Sequence, residues 1–351
     1  MIFDEKSWNN ICRGYTILDG TIGFEAGRLG FMLAEVTEAD HLDDGFQVRF
    51  VAVKLANPVE QRFFVREGDT LGRASLSAAW EPNQTEFVMA DLMSRVWSYK
   101  PKLYKGSEAP VPFDGRGYGY PDVGEVGSSV VRVTRVGSAL YAVGSPFRVF
   151  QRLPGQAWRE HKAIPIPPDL KSKDEDKITR ALTRSTFFDL AGFSESDMYA
   201  VGDEGNVWHF DGKQWTRCEF PTNLRLQTVT CAGDGVVYIT DIRGSLWKGR
   251  GEHWEPVVKM DQSLPFKDAA WFAGRMWFAN DYGMYVLEGK ALVLAHKAKK
   301  DPVPNEVMLH SHRIDVAPDG SQMLVCGGLG AALYDGKKWE LLFSDGDIDD
   351  E

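Results

Sequence analysis

Met198-Tyr199-Ala200-Val201-Gly202-Asp203-Glu204-Gly205-Asn206-Val207-Trp208-His209-Phe210-Asp211-Gly212-Lys213-Gln214-Trp215 is restated one period later as Val237-Tyr238-Ile239-Thr240-Asp241-Ile242-Arg243-Gly244-Ser245-Leu246-Trp247-Lys248-Gly249-Arg250-Gly251-Glu252-His253-Trp254. Each is a short apolar run, a turn with Asp and Gly, a second apolar run reaching Trp, a Gly turn and a closing Trp. Tyr199 to Tyr238 and Trp215 to Trp254 are both steps of 39 residues. A period near forty belongs to β-propeller blades or to helical arrays. The runs are short, β-branched and aromatic, and are bounded by Gly and Asp, which selects strands. Nothing in them has helical period.

The unit extends in both directions. Trp277 follows Tyr238 by another 39 residues, and Leu324 follows Trp277 by 47, leading to Tyr334-Asp335-Gly336-Lys337-Lys338-Trp339, a near copy of the words around Asp211. Backward, Leu140-Tyr141-Ala142-Val143-Gly144 repeats Met198-Tyr199-Ala200-Val201-Gly202. Phe87-Val88-Met89-Ala90-Asp91 and Gly30-Phe31-Met32-Leu33 give two more anchors, Val88 and Phe31, with the runs 46–54 and 62–65 assigned to the Phe31 unit. The expectation is an all-β propeller of seven four-stranded blades, with six or eight also fitting the spacing. Repeats are clear over 130–343 and degenerate over 14–100, with an acidic tail at 344–351, all in a single domain of 351 residues. A lone four-stranded sheet cannot bury both faces, whereas a ring of blades buries each against its neighbours. In the unit after Arg225 the strand-like runs are 227–231, 236–240, 245–248 and 254–258. The anchor aromatics are read as packing between blades.

Composition narrows the function classes. The 11 Trp and 35 Gly suit aromatic strands and many turns. The four cysteines, Cys12, Cys218, Cys231 and Cys326, form no CxxC pair, so neither a disulfide framework nor a structural zinc site is indicated. The first residues lack a signal-peptide pattern and no apolar run approaches membrane-spanning length, so a cytoplasmic protein without membrane contact is expected. A net charge of −10 argues against nucleic acid and is compatible with a basic partner.

The words (Leu/Met)-Tyr-Ala-Val-Gly, Gly-x-Val-Trp and Asp-Gly-x-x-Trp resemble repeats of bacterial propellers of the Asp-box and photosystem-assembly-factor type. Asp241-Ile242-Arg243-Gly244-Ser245-Leu246-Trp247 is similar to an Asp-box, and Asp203-Glu204-Gly205-Asn206-Val207-Trp208 is a version one residue shorter. Such an Asp is expected to bond its own turn. The chain does not resemble WD repeats, for it has no Trp-Asp dipeptide. The resemblance implies fold and leaves activity open.

Three stretches exceed the unit: 100–127, 164–184 and 297–312. Loops on a rigid scaffold collect binding residues, and the aromatic, Gly-rich first stretch offers Phe113, Arg116, Tyr118 and Tyr120 as partner-binding candidates. The charged run from Lys171 to Lys177 reads as a solvated loop tip. His310 and His312 are weak metal candidates without a nameable third ligand. No nucleophile elbow or phosphate loop occurs, and the arginines fall mostly in turns. No catalytic residue and no cofactor are assigned. The expectation is a non-catalytic protein-binding propeller, in its sharpest form a bacterial immunity protein holding a basic toxin domain. The alternatives are a glycan-binding or glycoside-hydrolysing Asp-box enzyme, which needs paired carboxylates in the central cavity, and an assembly factor.

Overall fold

The computed structural model describes residues 1–36, 47–67, 71–72, 74–80, 85–101, 103–112, 129–162, 164–165, 167–261 and 264–344. They form seven four-stranded antiparallel sheets, each a meander in chain order. Blade 1 is β1 (Tyr15–Ile22), β2 (Arg28–Glu35), β3 (Val48–Lys54) and β4 (Phe63–Glu67); blade 2 is β5 (Ala74–Ala79), β6 (Glu86–Asp91), β7 (Val96–Lys100) and β8 (Leu103–Glu108). Blade 3 is β9 (Ser129–Val136), β10 (Ala139–Ser145), β11 (Arg148–Arg152) and β12 (Arg159–Glu160); blade 4 is β13 (Phe187–Ser194), β14 (Asp197–Gly202), β15 (Val207–Phe210) and β16 (Trp215–Cys218). Blade 5 is β17 (Leu226–Cys231), β18 (Val237–Asp241), β19 (Leu246–Arg250) and β20 (His253–Val258); blade 6 is β21 (Asp268–Phe272), β22 (Arg275–Asn280), β23 (Gly283–Glu288) and β24 (Ala291–Leu294); blade 7 is β25 (Arg313–Val316), β26 (Met323–Gly327), β27 (Gly330–Tyr334) and β28 (Trp339–Ser344). First strands touch first strands all the way round, β1 meeting both β5 and β25, so the sheets close into a ring about a central channel.

The anchors hold equivalent places. Tyr141, Tyr199, Tyr238 and Trp277 each sit on the second strand of a blade and pack toward the next one: Tyr141 on Phe210 and Trp215, Tyr199 on Trp254, Tyr238 among Phe266 and Met276, Trp277 on Tyr334. Tyr141, Tyr199 and Trp277 are wholly buried, and burial of one such ring contributes roughly 1.5–3 kcal/mol. Phe31 differs. It packs backward on Phe343 of blade 7, while its neighbour Met32 faces blade 2. One residue of offset reverses the face of a strand: Gly30, paired with Thr21, holds the anchor place, and Phe87 of blade 2 lies over it.

No strand is shared between blades 7 and 1. The N-terminal segment joins them instead: Ile2 N donates to Leu342 O on β28 at 2.7 Å, Arg62 Nη1 donates to Ile2 O, and the Phe3 ring stacks on Phe63 of blade 1 while meeting Phe343 of blade 7 edge-on. Two α-helices among the described residues lie outside the repeat. The first, α1 (Glu5–Ile11), starts at a capping box of Asp4 and Ser7. The second, α2 (Glu175–Thr183), corrects the loop-tip reading of the Lys171 to Lys177 run: Asp174 caps it and Ile178 and Ala181 bury its inner face against Leu170.

In a meander, second-to-third hairpins and blade-to-blade connections emerge at one end of the ring, and the remaining turns at the other. All three long stretches of the sequence fall on blade-to-blade connections, β8 to β9, β12 to β13 and β24 to β25, the first of them also holding β8 itself. They therefore leave and re-enter the sheets at one end, where hairpins and connections bond: Phe147 N to Ser185 O, Gly205 N to Leu224 O, Ile242 N to Arg225 O and Ser311 Oγ to Asn280 O.

Candidate functional site

The first strands turn one unpaired edge toward the axis, and its amides need acceptors. Neighbouring blades supply them. Asp19 accepts from Leu76 N at 2.9 Å, Ser75 Oγ from Val133 N at 3.0 Å, Asp189 from Val229 N at 2.9 Å, Asp268 from Ile314 N at 3.1 Å and Asp315 from Ile22 N at 2.7 Å. In the other two junctions Thr230 Oγ1 donates to Ala269 O at 3.1 Å, and Arg132 Nε lies 3.6 Å from Asp189 Oδ1. Every blade is thus tied to the next at the axis.

Two arginines of β9 then cross the channel. Arg132 Nη2 lies 3.0 Å from both carboxylate oxygens of Asp268. Arg135 donates to Thr21 Oγ1, Ile22 O and Ala78 O and pairs with Asp315, so one side chain joins blade 3 to blades 1, 2 and 7. These arginines correct the expectation that arginines fall mostly in turns. The cavity beside them has a volume of about 270 Å³ and is lined by Asp19, Asp189, Asp268, Asp315, Arg132 and Arg135 among others. Burial pushes the Asp189 carboxyl up to about 6, outweighing the nearby Arg132 charge, and Asp268 adds to the rise. Burial opposes the Arg132 charge, but Asp268, Asp189 and Asp19 more than offset it and raise its pKa.

A perturbed carboxyl in a cleft is a common mark of catalysis, yet ion-pair networks produce it too. Here the geometry is that of a network. Each of the four carboxylates already accepts from backbone amides, and Asp268 and Asp315 from an arginine as well. The Asp-box reading has the same outcome at Asp241, whose Oδ1 accepts from Arg243 N and Ser245 N and whose Oδ2 accepts from Trp247 Nε1. Asp91 repeats the pattern with Met93 N and Arg95 N. Asp203 departs from it. With one residue fewer in the turn, its carboxylate accepts from Thr186 N and from Arg225 Nε, both on connections between blades.

Phe113, Arg116, Tyr118 and Tyr120 lie outside the described residues, on the connection from β8 to β9. His310 is buried under blade 7, where a side chain at Gly330 would press on its ring. His312 Nδ1 lies 2.7 Å from Asp281 Oδ1, and burial lowers its pKa. Among the described residues no three His, Cys, Asp or Glu side chains converge as a metal would require. Nor, among them, is any helix long and apolar enough to cross a membrane.

Fold and channel define a seven-bladed propeller whose axis is crossed by its own polar side chains. No protein-family model matches the chain. A curated relative, the immune protein Tsi7 of Pseudomonas aeruginosa, is 32% identical over 157 residues, which are 45% of this chain and 48% of that protein. The chain therefore matches about half the length of that relative. Among solved structures, YCF48 from Cyanidioschyzon merolae superposes with a TM-score of 0.54 at 10% identity, covering 91% of this chain and 95% of that one. PorZ of Porphyromonas gingivalis, a component of its type-IX secretion system, gives 0.54 at 10% identity over 94% of this chain and 38% of that one. These two likenesses concern the fold alone.

Proposed function

We propose that this chain is an immunity protein: it binds a toxin domain and blocks it by occupation, without chemistry of its own. The observation that carries the reading is the 32% identity to an immune protein over 157 residues. The channel supports it, because the carboxylates a glycoside hydrolase would need as acid and base are engaged in holding blades together. The net charge of −10 favours a basic partner, met in the cytoplasm of the producing cell. The test is co-expression with the product of the reading frame beside its gene. Growth arrest by that product alone, relieved when this chain is present, is the expected result. Growth arrest that persists in the presence of the folded chain refutes the reading.

A further inference from the structure

Large apolar side chains are rarely left in the open without reason when they cluster. In this ring seven of them share one end. Leu92 and Met93 cap the second-to-third hairpin of blade 2, Tyr282 that of blade 6 and Leu329 that of blade 7, and Val36 follows β2 of blade 1. Leu264 and Leu309 lie on the connections into blades 6 and 7. All seven are at the connection end, on one arc running through blades 6, 7, 1 and 2. At the opposite end only Leu103 is comparable among the described residues, Met1 being the terminal residue. Blade 3 lacks such a side chain because its hairpin residue Phe147 is buried against Phe187 and bonded to the connection at Ser185.

Carboxylates flank the arc. Glu35 and Glu306 are exposed, and Asp261 and Asp281 keep 85% and 44% of their side-chain surface. Asp261, Asp281 and Asp91 pair with Arg243, Lys267 and Arg95, so Glu35 and Glu306 are the flanking carboxylates that stand outside such pairs among the described residues. The lysines near 300 are drawn to the other end, where Arg275 at the start of β22 donates to Lys300 O. On an acidic chain, apolar side chains interleaved with carboxylates, Val36 beside Glu35 and Tyr282 beside Asp281, fit a protein surface that sets basic side chains among apolar ones.

We infer that the connection end of blades 6, 7, 1 and 2 is the docking face, and that its occupant is a toxin domain presenting basic side chains among apolar ones. This rests on the immunity reading. The test measures binding of the neighbouring-frame product to the full chain by titration calorimetry. Leu92→Asp with Met93→Asp, Tyr282→Asp and Leu329→Asp form the arc set, and Leu103→Asp is the control, each checked for an unchanged melting curve. All alter exposed side chains, so folding is retained. The arc variants bind at least about tenfold more weakly, as loss of interface anchors does, while the control keeps wild-type affinity. Wild-type affinity in all three arc variants, or an equal loss in the control, overturns the docking face and leaves the immunity reading standing. A wild-type chain that does not bind overturns both.

Discussion

Arg135 and Asp315 stand 180 residues apart in the chain and meet at the axis, with Arg135 Nη2 at 3.0 Å from both carboxylate oxygens. The pair joins blade 3 to the blade that closes the ring. Asp315 also holds Ile22 N of blade 1, so the same carboxylate serves closure and cross-bracing. Arg135→Met leaves that carboxylate without its cation. We expect a loss of about 2–3 kcal/mol in urea unfolding, at the low side for a broken buried pair because Asp315 keeps some solvent contact. A double change with Asp315→Asn recovers part of it, which a double-mutant cycle measures.

A second ion cluster lies between blades 2 and 3. Arg152 is buried and pairs with Glu86 at 2.8 Å and Glu108 at 3.1 Å, while Trp80 Nε1 donates to Glu86. Glu86→Gln keeps the shape and removes the charge. The expected destabilisation is about 3 kcal/mol in chemical denaturation, with partner binding at the connection end unchanged in the fraction that remains folded.

Asp189 gives a pH signature. Its folded carboxyl is pushed up to about 6, against about 3.9 for an unfolded Asp. The folded chain therefore holds a proton that the unfolded chain releases over that interval. The stability it contributes is present in full below the unfolded value and is lost as pH rises through the folded one. Compared with Asp189→Asn, the wild type should gain roughly 1 kcal/mol on going from pH 7 to pH 5. His161, whose pKa burial lowers to about 4, acts with the opposite sign but is present in both proteins and cancels in the difference. Parallel pH dependence in the two proteins is the contrary outcome.

The Asp-box carboxylate at Asp241 is a local brace. Asp241→Ala removes acceptors from two backbone amides and from Trp247 Nε1. We expect a loss of about 1–3 kcal/mol with no change in binding beyond that of the folded fraction. Hydrogen exchange at Arg243 and Ser245 should rise first.

The blades were legible because Tyr141, Tyr199, Tyr238 and Trp277 answer to one local rule: a large ring on a second strand buried by the next blade. The turns were legible for the same reason. Asp211 and Asp335 each accept from the two amides that follow Gly212 and Gly336, and both glycines take φ of 88°, where a side chain is strained. Phe31 misled, since the anchor place in blade 1 belongs to Gly30, over which Phe87 of blade 2 lies, and the ring stands one residue further on. The roles of Arg132 and Arg135 were not legible at all. Their partners Asp268 and Asp315 lie on other blades, and only ring closure brings them within reach. The connection-end arc was hidden likewise, because Leu92, Tyr282 and Leu329 belong to separate repeats and only the topology brings them to one end of the ring. Helix α2 was missed because its apolar side is short, Ile178, Ala181 and Leu182 after a run of charges.

The most direct measurement of the proposed immunity function is a titration of the activity of the neighbouring-frame product with increasing amounts of this chain. Blocking by occupation predicts activity that falls in proportion to the chain added and ends near equimolar amounts, with the partner recovered intact on denaturation. Complete inactivation at far below equimolar chain, or a partner recovered chemically altered, would contradict the account, as would activity that never falls.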